Sequence, residues 1–123
     1  MGRKILVIDD DALARQLLED YLTAHGYDVV CASNGADGVA MAQSADPDLV
    51  VCDVLLPRKS GYEVCFELKR PAAAKTFPVL LMSAVLQDGS QEEYARELHA
   101  DGVFVKPFRM AAMLERIEQL LAV

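Results

Sequence analysis

Residues 50–57 have the sequence VVCDVLLP, in which a single carboxylate, Asp53, stands among apolar residues and Pro57 closes the stretch. A charge in apolar surroundings is costly unless it is paired or bound to a cation. The stretch therefore predicts a buried strand that ends in a carboxylate. It also predicts that a partner for that carboxylate lies elsewhere in the chain.

The apolar part of this stretch is one of several apolar runs of similar length that lack polar alternation. Unbroken apolar runs of this kind are typical of parallel strands that are buried on both faces. The clear runs are residues 5–8, 49–52, 77–82 and 103–105. A fifth run, residues 27–32, is more mixed, and we expect it at a sheet edge.

Helical patterns lie between the apolar runs. In the first, residues 12–26, Asp11 can cap the start and Gly26 can end the helix. Its predicted apolar face comprises Leu13, Leu17, Leu18, Tyr21 and Leu22. Further helices are predicted at residues 35–44, 61–70 and 109–121, the last with a stripe formed by Met110, Met113, Leu114, Ile117 and Leu121.

Residues 90–100 also suit a helix, but only Tyr94, Ala95 and Leu98 are apolar enough to anchor it. Low local stability is expected there. Five strands alternating with five helices predict a doubly wound α/β fold, with helices on both faces of a parallel sheet. We expect one domain over residues 1–123, with no space for an output domain.

The composition argues against a membrane protein, a secreted protein and a nucleic-acid-binding protein. The 123 residues are 53% hydrophobic and 25% charged, and no apolar run approaches the ~18 residues of a membrane span. The N-terminal run ILVI is too short for a signal peptide, so a soluble cytoplasmic protein is expected. A net charge of -7 opposes direct nucleic-acid binding. Three cysteines without CxxC spacing, Cys31, Cys52 and Cys65, are expected to be buried free thiols.

Polar residues follow the predicted strands: Asp9 and Asp10, Asp53, Ser83 and Lys106. Singly, each has an ordinary structural explanation, such as a helix cap, a loop hydroxyl or a surface cation. Together they end separate strands, and ligands of open α/β sheets bind beyond the carboxyl ends of the strands. The pattern therefore predicts one polar site at that edge.

The chemistry of this set favours phosphoryl transfer. Neighbouring carboxylates repel one another, and a hard cation such as Mg²⁺ relieves that repulsion. Asp10 and Asp53 suit direct coordination and Asp9 coordination through water, with Mn²⁺ as a possible substitute ion. Asp53 is ionised near neutral pH and can attack phosphorus. The Ser83 hydroxyl and the Lys106 ammonium can then bind phosphoryl oxygens.

With this set of residues, the chain resembles the receiver domain of bacterial two-component response regulators, the CheY-like family. The matching motifs are VIDDD (7–11), CDVLLPRKSG (52–61), LLMSA (80–84) and VKPF (105–108). The resemblance covers essentially the whole chain. It implies a flavodoxin-like (βα)5 fold with sheet order 2-1-3-4-5.

The resemblance also implies roles. Asp53 accepts a phosphoryl group from the phosphohistidine of a sensor histidine kinase or histidine phosphotransfer protein, and the change passes to a downstream protein or effector domain. The backbone carbonyl of Leu55 joins Asp9, Asp10 and Asp53 as a Mg²⁺ ligand. Ser83 is the switch hydroxyl, and Lys106 precedes a cis bond to Pro107. Partner contacts, including a possible homodimer, are expected on residues 90–108 and the last helix.

Two departures from the family pattern carry consequences. Val103 stands where the family usually has an aromatic ring, and strand alternation directs Phe104 to the opposite face. Positions 55 and 85, which often tune phosphoryl lifetime, are Leu55 and Val85. We expect slow self-dephosphorylation and an output that departs from the usual coupling of hydroxyl and ring.

Three alternatives differ in class. A haloacid-dehalogenase-type phosphatase needs an Asp two residues after the nucleophile, where this chain has Leu55. A flavin-binding protein needs a phosphate cradle after the first strand, where this chain has DDDA. A receiver-fold interaction module without phosphorylation is the strongest rival, since Val103 supports it.

Overall fold

Strands and helices alternate along the chain in the computed structural model, which describes residues 2–70, 75–84 and 90–122. The strands are β1 Lys4–Ile8, β2 Asp28–Ala32, β3 Leu49–Asp53, β4 Val79–Ser83 and β5 Gly102–Val105. The helices are α1 Ala12–Ala24, α2 Gly35–Ala45, α3 Gly61–Leu68, α4 Ser90–Glu97 and α5 Met110–Leu121. Two residues of the sequence predictions, Pro71 and Val85, lie outside the described ranges.

The strands form one parallel sheet in the order β2-β1-β3-β4-β5. This confirms the predicted doubly wound fold, and it confirms the edge position of the mixed second run. All five residues of β3, the central strand, are buried. Its continuous apolar sequence is therefore explained by helices that cover both faces.

Each face of the sheet has its own apolar core. Residues Leu6, Val50 and Leu81 pack toward α2, α3 and α4, whereas their strand neighbours face α1 and α5. The second set includes Ile5, Val51, Leu80, Met113 and Ile117. Val103 packs in the first core and Phe104 in the second, which confirms that their side chains point to opposite faces.

Helix α1 begins as predicted, because the Asp11 side chain accepts hydrogen bonds from the backbone N–H groups of residues 13 and 14. It ends before Gly26, whose φ of +93° favours glycine. The predicted apolar face was wrong in part: Leu13 is 67% exposed and Leu17 50% exposed. Leu18 and Leu22 face the sheet, while Leu17 borders a surface cavity next to α5.

Helix α3 ends at Leu68, two residues before the predicted end at residue 70. The Leu68 carbonyl accepts a hydrogen bond from the Phe77 N–H, and Lys69 forms a 2.6 Å ion pair with Asp101. These contacts join the end of the helix to residues that are distant in sequence.

Helix α4 has few apolar contacts. Of its described side chains, in residues 93–97, Ala95 alone is buried. The helix ends at Glu97, and His99 follows in the left-handed region at φ +65°. By contrast, Met113, Leu114 and Ile117 of α5 are buried, as the predicted stripe requires. Within the described ranges, no helix combines the length and hydrophobicity that crossing a membrane would require.

Candidate functional site

Three carboxylates meet at the carboxyl edge of the sheet. Asp53 ends β3, and Asp9 follows β1, in which Ile8 pairs with Cys52 of β3. Because β1 and β3 are adjacent and parallel, both acids emerge at the same edge. Ligand oxygens of Asp9, Asp10 and Asp53 all lie within 4.8 Å of one another. The three acids singled out in the sequence thus form one cluster.

Asp9 is fully buried in this cluster. Its Oδ1 accepts a hydrogen bond of 2.9 Å from the Asp11 N–H. Its Oδ2 accepts no hydrogen bond from any residue that the structure describes, and the Lys106 ammonium lies 3.6 Å away. Burial raises the pKa of Asp9 above its ordinary 3.8, and the Asp11 amide and Lys106 only partly counter this. The site therefore has unsatisfied negative charge.

Lys106 is the cationic partner that the sequence predicted for Asp53. Its Nζ donates a 2.8 Å hydrogen bond to Asp53 Oδ2, and Asp53 itself is 7% exposed. Desolvation lowers the pKa of Lys106, but the hydrogen bond to Asp53 and the charge of Asp9 outweigh it, so the pKa is raised. Lys106 therefore stays charged beside the carboxylates at neutral pH.

Ser83 lies at the same edge, at the end of β4, and is 3% exposed. The Lys106 N–H donates a 2.7 Å hydrogen bond to the Ser83 carbonyl, and Ser83 pairs with Val105 of β5. These backbone contacts hold the hydroxyl-bearing and amine-bearing residues side by side. The peptide bond between Lys106 and Pro107 is cis, as the family resemblance implied.

The turn between β3 and α3 packs tightly against Asp53. A Cβ atom at Gly61 would lie 2.2 Å from the Asp53 carbonyl oxygen, so glycine is required there. The Gly61 N–H donates to the Val54 carbonyl at 2.8 Å, and the Leu55 N–H donates to Asp53 Oδ1 at 3.2 Å. The Leu55 side chain itself is 70% exposed. The backbone of this turn therefore orients the Asp53 carboxylate.

Sequence reasoning missed one residue at this edge. Arg15 of α1 donates a hydrogen bond of 2.8 Å from Nη1 to the backbone carbonyl of Asp9. An arginine near the start of an amphipathic helix is ordinarily a solvated surface residue, so its type and position gave no signal. Only the folded turn between β1 and α1 brings it against the acidic cluster.

The donor set fits a hard divalent cation. The buried Asp9 Oδ2 lacks a hydrogen-bond donor among the described residues, and three carboxylates within 4.8 Å repel one another. Carboxylate oxygens are the ligands that Mg²⁺ prefers, and Asp10 is exposed enough to admit an ion from solvent. Asp9, Asp10 and Asp53 could hold the ion. A contribution from the Leu55 carbonyl stays a prediction.

Comparison with known families agrees with this geometry. The model of the response regulator receiver domain matches residues 5–118. The chain belongs to the response regulator receiver family. Receiver domains are signalling domains of two-component systems, so the phosphatase and flavin-binding alternatives have no support from the match.

Known regulator proteins are similar in sequence to nearly the whole of this chain. "Probable transcriptional regulator ycf27" of Porphyridium aerugineum is 39% identical over 118 residues, 96% of this chain and 48% of that protein. The regulatory protein PhoP of alkaline phosphatase synthesis in Bacillus subtilis is 37% identical over 125 residues, 98% of this chain and 49% of that protein. The chain thus spans about half the length of the curated relatives it matches.

Solved receiver structures share the fold. The chemotaxis response regulator CheY4 of Vibrio cholerae has a TM-score of 0.87 at 27% sequence identity, covering 98% of this chain and 100% of that one. The five-stranded order observed here is that of the CheY-like flavodoxin fold. Fold, family and the position of the acidic cluster are therefore consistent.

Proposed function

We propose that this receiver is a phosphoacceptor of a two-component phosphorelay and that Asp53 accepts the phosphoryl group in a Mg²⁺-dependent reaction. The observation that carries the proposal is the 2.8 Å contact between Lys106 Nζ and Asp53 Oδ2 beside the carboxylates of Asp9 and Asp10. A cation paired only for structural reasons would not need two further acids, one of them with a buried unsatisfied oxygen.

In the proposed reaction a carboxylate oxygen of Asp53 attacks phosphorus, and the bond from phosphorus to the donor's histidine nitrogen breaks. Asp10, Asp53 and the Leu55 carbonyl, with Asp9 through water, would hold Mg²⁺, which would neutralise charge at a phosphoryl oxygen. The Lys106 ammonium and the Ser83 hydroxyl bind the other oxygens. Lys106 already lies against Asp53, so its hydrogen bond transfers to the new phosphoryl group over a short distance.

The proposed phosphodonor is a sensor histidine kinase or a histidine phosphotransfer protein. The relatives named above are described as transcriptional regulators, and this chain covers about half of their length. We therefore propose that the phosphorylated state is relayed to a separate protein target or to an effector domain, with no direct nucleic-acid contact from the acidic receiver itself. The same receiver could pair with a second copy as a homodimer.

Mass spectrometry after incubation with acetyl phosphate and Mg²⁺ tests the proposal. We expect one added phosphoryl group on the wild type and none on Asp53→Asn, because the amide is not nucleophilic. Asp20→Asn is the matched control, since Asp20 is an exposed carboxylate on α1 that accepts a hydrogen bond from Gln16. Wild-type protein without added phosphoryl mass, or an Asp53→Asn variant that still gains it, contradicts the proposal.

One observation favours the rival interaction module. Val103 is half-buried beside a surface cavity of about 270 Å³, and no ring from β5 fills it. The cavity is also lined by Ala95, Arg96, Ala100, Asp101 and Gly102. In such a module, binding to the partner would not depend on phosphorylation. The same mass measurement decides between the two, because the module takes up no phosphoryl group.

A further inference from the structure

We propose that Arg15 is a positioning residue of the divalent-cation site, because its guanidinium fixes the peptide group that joins Asp9 to Asp10. The inference rests on the proposed function and concerns how the same site is held. Arg15 lies in the first half of α1, is partly buried, and donates from Nη1 to the Asp9 carbonyl oxygen at 2.8 Å. A bond from a charged donor is stronger than one between neutral groups.

The turn that carries the acids is held from several sides. The Asp9 N–H donates to the Ala32 carbonyl of β2 at 3.1 Å, and Asp9 Oδ1 accepts from the Asp11 N–H at 2.9 Å. The Arg15 N–H donates to the Asp11 carbonyl at 2.9 Å, so Arg15 belongs to the helix that the same turn begins. The guanidinium then reaches back to the Asp9 carbonyl. This last bond sets the orientation of the peptide plane between Asp9 and Asp10.

Asp10 depends on that peptide plane more than Asp9 does. Asp9 is fully buried and is fixed by the Asp11 amide, whereas Asp10 is exposed. Rotation of the peptide that precedes Asp10 would swing its carboxylate relative to Asp53. Groups that orient metal ligands contribute to metal affinity through this kind of preorganisation. Arg15 therefore favours binding without touching the ion.

The charge of Arg15 acts in the opposite direction. A guanidinium near the acidic cluster repels an incoming divalent cation, so removal of the charge alone would tighten Mg²⁺ binding. Loss of the hydrogen bond would weaken it. A substitution that removes both the charge and the hydrogen bond therefore distinguishes the two roles. Mg²⁺ binding weakens if Arg15 positions the ligands, and it tightens if Arg15 acts only through its charge.

Isothermal titration with Mg²⁺ alone tests the inference on wild type, Arg15→Met and Arg116→Met. Arg116 is the matched control: its Nε donates to the Asp101 carbonyl at 3.0 Å, just before β5 begins at the far edge of the sheet. We expect the Kd for Mg²⁺ to rise by about 3–10-fold in Arg15→Met, at or below the lower limit of the roughly 10–100-fold that is typical for groups that orient metal ligands, because the charge effect opposes it. The control should stay within about twofold of wild type.

Phosphorylation by acetyl phosphate gives a second measurement. In Arg15→Met the Mg²⁺ concentration for half-maximal rate should rise by the same factor, while the rate at saturating Mg²⁺ stays within about twofold of wild type. If Arg15→Met does not fold, Arg15→Lys is titrated instead, since it keeps the charge and loses the planar fork. We again expect a higher Kd, that is, weaker Mg²⁺ binding.

The outcomes are distinguishable. Equal or tighter Mg²⁺ binding by Arg15→Met, or equal weakening in both arginine variants, overturns the positioning role and leaves the proposed function intact. Absence of Mg²⁺ binding by the wild type overturns both. If the wild type is phosphorylated and Arg15→Met needs the same Mg²⁺ concentration for its half-maximal rate, the positioning role alone is overturned.

Discussion

Leu55 is an exposed aliphatic residue beside a buried polar site. It follows a buried strand and a buried carboxylate, yet its side chain is 70% exposed beside the crevice. An aliphatic group at this position can neither donate to nor accept from a water molecule. If Asp53 is phosphorylated as proposed, we therefore expect attack by water to proceed without help from position 55.

Substitution of Leu55 by Asn should accelerate loss of the phosphoryl group, because an amide can orient the attacking water. We expect the half-life to shorten by about tenfold, less than the 10²–10⁴ that a positioned general base supplies. Decay of radiolabelled protein after removal of the donor measures it. Leu13→Asn is the control, since Leu13 on α1 is similarly exposed at 67%. A wild-type half-life of seconds would contradict the slow-decay hypothesis.

At the scale of elements, α4 differs from the other helices. Its sequence, SQEEYARE, has few apolar residues, and Ala95 is its one buried side chain among residues 93–97. Tyr94 contributes a ring contact with Tyr62 of α3 at 4.7 Å between centroids, but it remains 47% exposed. A helix held by so little buried area opens more readily than the rest of the fold.

Hydrogen exchange should show this difference. Backbone amides of residues 94–98 should exchange at least about tenfold faster than those of residues 18–22 in α1, where Leu18 and Leu22 are buried. Mass spectrometry of peptic peptides or NMR measures the rates. Equal protection of the two helices would show that α4 opens only with the whole domain.

The sequence predicted features that depend on local pattern and missed features that depend on contacts between distant residues. The strands were predictable because apolar runs buried on both faces need no partner information, and the cluster of acids followed from parallel strands sharing an edge. At the end of α3, the Leu68 carbonyl and Lys69 contact Phe77 and Asp101, which are distant in sequence. Leu17 and Met110 of α5 line one cavity, and the sequence does not show that they are neighbours. Arg15 was missed because its contact with the Asp9 carbonyl depends on the fold of the turn between β1 and α1.

For the whole molecule, the buried Asp9 carboxylate lowers stability when it is charged and no cation is bound. The pKa of Asp9 is raised above 3.8, so the folded state binds its proton more tightly than the unfolded state does. The free energy of unfolding therefore falls as pH rises from the ordinary value through the raised one. Near neutral pH the buried carboxylate is a net cost that a divalent cation can remove.

Asp9→Asn should consequently stabilise the cation-free protein at pH 7. We expect a gain of about 1 kcal/mol, or roughly 4 °C in Tm for a domain of this size. Below pH 3, where Asp9 is protonated in both states, the difference should vanish. Added Mg²⁺ should raise the Tm of wild type more than that of the variant, which keeps Asp10 and Asp53 but has lost one of the three carboxylates. Thermal unfolding in EDTA and in Mg²⁺ measures this, with Asp20→Asn as control; a less stable Asp9→Asn in EDTA contradicts it.

The three cysteines have a consequence for handling the protein. Cys52 and Cys65 are buried and Cys31 is half-buried, and burial raises the pKa of Cys31 and of Cys65 to about 11. Burial thus disfavours the thiolate, which is the species that maleimide dyes attack. We therefore expect the native thiols to react slowly with such dyes, so that a single exposed cysteine placed on α4 could carry a fluorophore without their replacement.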